Sequence, residues 1–175
     1  LFIESNGINY KDNKIFPLGG VSNSFTVMNN ELGYYPVYQS DKFGFNNSND
    51  NYNEKIINIL IGDSFTEGCC VQRENNISEI LNKLGLNTIN FGKNGNGPLL
   101  EYVTFVEYVT YYKPENVIWL YYPNDFKNLK KELKLNFLKQ YLDNEFFTQN
   151  LINKQKLIDQ ALINYLNIEE GQYLQ

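Results

Sequence analysis

The pattern of apolar and polar positions changes character near residue 55. Before it, short aromatic runs such as Tyr34-Tyr35-Pro36-Val37-Tyr38 alternate with the turn-forming residues Pro17, Gly19, Gly20, Gly33 and Gly44. That pattern predicts an irregular arm with short strands over 1–54. After it, Ile56-Ile57-Asn58-Ile59-Leu60-Ile61 is almost continuously apolar and β-branched, as a strand buried on both faces must be. Ile77, Ile80, Leu81 and Leu84 then recur at helical spacing within 74–84, and Gly85 is placed to end that helix. Asn87-Thr88-Ile89-Asn90-Phe91 predicts a second strand. Pro98 opens a helix to about residue 112, and Lys113-Pro114 breaks it. Val117-Ile118-Trp119-Leu120-Tyr121-Tyr122 predicts a third strand. Helices are expected over 126–142 and 146–168, the latter with Phe147, Leu151, Ile158, Leu162 and Leu166 on one core-facing side.

Strands alternating with helices predict an α/β fold with a parallel sheet covered by helices. Three strands are fewer than the usual four to six. The expectation is therefore an arm, 1–54, followed by a partial α/β domain, 55–175, incomplete at its C-terminal end. Leu1 in place of Met carries the same expectation for the start.

Composition narrows the function. Hydrophobic residues at 42% and charged residues at 20% fit a globular chain. A net charge of −5 argues against nucleic-acid binding, and no apolar run is long enough for a membrane span. The chain has no histidine, so it holds no Ser-His or Cys-His pair and no His-ligated metal. The two cysteines, Cys69 and Cys70, are adjacent and read as small packing residues, so no metal or cofactor is expected. Asparagine is abundant, while Arg73 is the only arginine and Ala161 the only alanine. This reads as compositional bias, with Asn46-Asn47 and Asn49-Asp50-Asn51 as loop filler.

In open parallel sheets, ligands bind beyond the carboxyl ends of the strands. The three predicted strands end in Gly62-Asp63-Ser64, Asn90-Phe91-Gly92-Lys93-Asn94-Gly95 and Pro123-Asn124-Asp125. Ser64 sits at a strand-to-helix turn that exposes a hydroxyl beside outward backbone N–H groups. Gly95 lets a backbone N–H approach a ligand closely, and Asn124 offers an amide donor. One hydroxyl with several convergent donors suits acyl transfer through a stabilised oxyanion.

These segments resemble the SGNH (GDSL-type) hydrolases, over roughly residues 55–126. Gly62-Asp63-Ser64-Phe65-Thr66-Glu67-Gly68 is similar to that family's first block, Asn90 to Gly95 to the second, and Tyr122-Pro123-Asn124-Asp125 to the third, with Tyr122 where a glycine is usual. Asp41-Lys42-Phe43-Gly44-Phe45-Asn46 resembles the lead-in of a bacterial branch. The resemblance implies a three-layer flavodoxin-like sheet and an esterase or acyltransferase acting on a small-molecule, glycan or lipid ester. It implies Ser64 as nucleophile and oxyanion donor, Gly95 and Asn124 as the other donors, and Asp63 and Asp125 as turn-positioning residues; Thr66 reads as a local backbone cap. The family's Asp-x-x-His block is missing, and nothing positions Lys93 to replace it. These 175 residues alone are therefore expected to be inactive. Two other readings stay open: a non-catalytic SGNH-like domain binding a glycan or protein, and a phosphate-binding doubly wound domain with Gly62 to Thr66 at a helix N-terminus.

Overall fold

The computed structural model describes residues 7–173. It is a mixed α/β structure whose central sheet has three parallel strands, β5 (Asn58–Ile61), β6 (Thr88–Asn90) and β7 (Asn116–Trp119), in the order β6-β5-β7. The arm adds two antiparallel hairpins, β1 (Ile8–Tyr10) with β2 (Asn13–Ile15), and β3 (Phe25–Val27) with β4 (Val37–Gln39). All of β5 is buried, as its aliphatic run requires. β7 differs: Val117, Ile118 and Trp119 are 38–44% exposed. The reason is its place in the sheet, at an edge with β5 as its one neighbour among the described residues.

Helices fill the connections. α1 (Ser64–Glu67) starts where the Asp63 carboxylate accepts the Phe65 N–H at 3.0 Å. α2 (Ile77–Lys83) is capped by Asn76, whose side chain accepts the Glu79 N–H at 2.8 Å. α3 (Pro98–Thr104) continues through a π-helical stretch, Phe105–Val109, to a last turn at Thr110–Tyr112. The single helix expected over 126–142 is two, α4 (Asp125–Glu132) and α5 (Asn136–Asp143). The break re-registers the chain so that Leu138 and Tyr141 are buried in the core.

The last expected helix also differs. α6 (Gln155–Tyr173) begins nine residues after position 146. The segment before it is held by the buried Glu107 carboxylate, which accepts the N–H groups of Gln149 at 2.6 Å and Leu151 at 2.8 Å. Tyr141 and Thr148 donate their hydroxyls to the same group. Backbone donors served by a side chain have no need of a helical turn. Within the expected stripe Leu151, Ile158 and Leu162 are buried, whereas Leu166 is exposed.

The arm packs into the same core as the sheet. Ile8, Ile15, Phe16, Leu18, Phe43 and Phe45 join Ile59, Phe91 and Tyr108 in one cluster. Phe45 meets Phe91 edge-on at 4.9 Å between ring centres. The polar contacts are as specific. The Asn47 side chain donates to the Asn90 carbonyl at 2.8 Å and accepts the Asn90 N–H at 2.7 Å. It thereby does for the free edge of β6 what a fourth strand would do. Asp41, fully buried, accepts from Phe43 N, Phe45 N, the Asn47 amide and the Tyr52 hydroxyl. Arg73 donates to the Asn46 side chain and to the carbonyls of Gln39 and Asn47. Asn46, Asn47 and Arg73 are thus not compositional filler. They fasten the arm to the domain.

Replacing Asn47 by Ala leaves the Asn90 N–H and C=O buried without partners. At about 1–3 kcal/mol for each such group, Asn47→Ala is expected to lower stability by roughly 2–6 kcal/mol in urea unfolding. Asn53→Ala, on an exposed side chain of the same segment, is expected to stay within about 0.5 kcal/mol of the parent.

Candidate active site

The parallel register brings the three strand ends to one edge of the sheet. Leu60 pairs with Asn90 and Ile61 with Trp119, so the turns that follow emerge side by side. Direct contacts then tie them together. The Lys93 N–H donates to the Gly62 carbonyl at 3.1 Å, and the Leu120 N–H to the Ile61 carbonyl at 2.9 Å. Phe65 and Tyr122 stack with ring centres 4.5 Å apart. Gly62 is required by this crowding, because a Cβ there would lie 2.0 Å from Thr66 Oγ1 and 2.8 Å from the Leu120 carbonyl oxygen.

Ser64 opens α1 and is half-buried; its hydroxyl makes no hydrogen bond among the described residues. Gly95 has φ +86, a left-handed conformation that favours glycine, and the space where a Cβ would stand is open. Its N–H has no partner among the described residues. The turn carrying it forms part of a cavity of about 310 Å³, walled on the other side by Phe16, Leu18 and Gly19 of the arm. Ser64 is not in that wall. Asn124 begins α4 with its side chain exposed and without a capping bond. Tyr122, at the position where glycine is usual, has no positive φ. Its N–H is held by Asp125 Oδ2 at 2.8 Å, so the turn needs no glycine.

Three acidic side chains to which the sequence reading gave no role organise this edge. Glu67 is 2% exposed. Its Oε1 accepts the Tyr38 hydroxyl at 2.9 Å and the Lys93 ammonium at 2.6 Å, and its Oε2 accepts the Asn94 N–H at 2.7 Å. Lys93 is therefore engaged with Glu67. Glu132, fully buried, accepts from Gly97 N at 2.6 Å and Leu99 N at 3.0 Å, which binds the first turn of α3 to the end of α4. Glu101, also fully buried, accepts the Trp119 indole N–H at 2.6 Å. Its spacing did carry a signal: Glu101, Thr104 and Tyr108 follow the buried face of α3. Glu67 carried none, since a glutamate in a short surface helix is ordinarily solvated.

The electrostatics of this edge are acidic. Asp63 Oδ2, Glu101 Oε1 and Asp125 Oδ1 are buried without a hydrogen-bond partner. Burial, and then Asp125, Glu132 and Asp63 nearby, raise the Glu101 carboxyl from an ordinary 4.5 to about 7, against the lowering effect of the Trp119 indole. Burial and Asp63 likewise raise Asp125, opposed by the Tyr122 N–H. On the far side of α1, the Cys70 thiol is pushed up to about 12 by burial and by Cys69 and Glu31.

Neither family models nor curated proteins nor solved structures match this chain. The geometry of the three turns therefore stands by itself. Among the described residues no helix is long and apolar enough to cross a membrane.

A carboxyl whose folded pKa is raised stabilises the fold while protonated. Its contribution is fully present below the unfolded value, near 4.5, and is lost as pH rises through about 7. The urea midpoint is expected to fall across that window. In Glu101→Gln, which cannot ionise, the fall is expected to be smaller; an unchanged pH profile would show that Glu101 is not the group responsible.

Proposed function

We propose that this chain carries the nucleophile and the oxyanion hole of a serine ester hydrolase or acyltransferase of the SGNH type. The observation that carries the reading is the set of unpartnered groups at one sheet edge: the Ser64 hydroxyl, the Gly95 N–H and the Asn124 amide. Solvent-accessible donors and a hydroxyl at three adjacent strand ends are available to a reacting acyl group and its developing oxyanion. The second-first-third order of the parallel strands is consistent with a flavodoxin-like sheet, whose ligands bind at this edge.

In this reading the Ser64 oxygen attacks the ester carbonyl. The N–H groups of Ser64 and Gly95 and the side chain of Asn124 hold the developing oxyanion. Asp63 and Asp125 hold the two turns, through Phe65 N and Tyr122 N. The serine proton needs a base. Lys93 is committed to Glu67, and these residues include no histidine. The base must therefore come from outside them. The same lack of a base favours one other reading, a non-catalytic domain of this type that binds a glycan or a protein.

A fluorophosphonate probe separates them. The 175 residues alone are expected to be labelled only at background. The protein encoded by the whole reading frame is expected to be labelled at Ser64, to lose labelling and ester hydrolysis in Ser64→Ala, and to lose about 10²–10³ in kcat in Asn124→Ala. No labelling of that protein at Ser64 would leave the binding reading. Rapid labelling of the 175 residues alone would overturn the claim that their base is missing.

A further inference from the structure

Outside the strand-end turns, one group of metal-binding side chains converges among the described residues. Glu31 comes from the loop between β3 and β4, and Cys69 and Cys70 follow α1. One ligand atom from each lies within 4.8 Å of the others, and the two sulfurs are 2.7 Å apart. Consecutive side chains in an extended segment point to opposite sides. Here Cys70 adopts φ +76, a left-handed conformation uncommon for any residue but glycine, asparagine or aspartate. That turn brings both sulfurs to one side. It is held by Cys69 N–H donating to the Ser64 carbonyl at 2.8 Å and by Val71 N–H donating to the Gly68 carbonyl at 3.3 Å. A cleft of about 110 Å³ beside Cys69 is lined by Thr26, Val27, Met28 and Asn29 of the arm.

We propose that Glu31, Cys69 and Cys70 bind a thiophilic divalent cation of the zinc class. Two sulfurs and one carboxylate oxygen make the three-ligand set of an open tetrahedral site, with water in the fourth position. Metal–sulfur bonds of about 2.3 Å set two sulfurs roughly 3.8 Å apart, so the thiols open by about 1 Å on binding. Glu31 is exposed, and its carboxylate already lies against the Cys70 thiol. The balance is simple: two S–H bonds release their protons to solvent as two metal–sulfur bonds form, and the carboxylate adds a third bond without a proton. Nothing is oxidised, and the site carries one net negative charge when filled. Its effect is to clamp the 28–36 loop of the arm onto the segment that follows Ser64.

Reduced, metal-free protein tested with Co²⁺ is expected to take up one ion per chain. A thiolate-to-cobalt charge-transfer band in the near ultraviolet should appear and be displaced by Zn²⁺. Cys69→Ser and Cys70→Ser should each abolish the band. Glu31→Gln should keep it with affinity at least tenfold weaker. Zn²⁺ should also slow chymotrypsin cleavage after Leu32 and Tyr34 in the parent but not in Glu31→Gln. Glu31 is on the surface, so that variant carries the test even where a serine variant fails to fold. The proposal falls if reduced protein shows no band, if either folded serine variant binds as the parent does, or if Glu31→Gln binds and protects like the parent. Conversion of the two thiols to a disulfide, with no cobalt uptake after re-reduction, would also overturn it.

Discussion

The contact between the Asn47 side chain and the Asn90 backbone joins the arm, the sheet and the candidate site. A parallel strand at a sheet edge presents an N–H and a C=O that need partners once they are buried. Asn47 provides both from one side chain, at 2.7 and 2.8 Å. Asn90 is thereby free to use its own side chain elsewhere. It donates to the Thr66 carbonyl at the end of the first strand-end turn and accepts from Gly92 N in the second. This residue pair thus satisfies the free edge of β6, docks the arm and, through the Asn90 side chain, links two of the three turns at the candidate site.

The turns themselves are held by carboxylates rather than by apolar packing. Asp63, Glu67, Asp125 and Glu132 each accept at least one backbone N–H within these loops or at the helix starts beside them. A carboxylate accepting backbone donors can be buried at tolerable cost, and it fixes a loop more narrowly than an aliphatic side chain does. The consequence is a crowd of negative charge beneath the edge. Burial, and then that crowd, raises the Glu101, Asp125 and Glu132 carboxyls above the ordinary range.

The arm has a role that its irregular sequence concealed. It supplies half the wall of the cavity at Gly95, the Tyr38 hydroxyl on Glu67, and Glu31 opposite the two cysteines. Segments with few regular elements are often treated as decoration. Here Phe43 and Phe45 enter the main core, and Asp41 is as buried as any residue of β5.

The sequence by itself determined the three parallel strands and α3, because their apolar spacing has a single period and their ends carry glycine, proline or asparagine caps; it also placed α2, although Ile77, Ile80 and Leu84, which marked that helix, are exposed rather than core-facing. It also marked Ser64, Gly95 and Asn124 as candidates, since each stands at a strand end. It could not show that β7 would be left exposed at the sheet edge, where α4 and α5 would divide, or that residues 146–154 would leave the helix. Those outcomes depend on partners distant in the chain, such as Glu107 reaching Gln149 and Leu151. The same holds for Glu67, Asn47 and Arg73. A polar side chain in a loop reads as solvated until the fold places its donors and acceptors around it, and only the tertiary structure decides which polar residues are buried with partners.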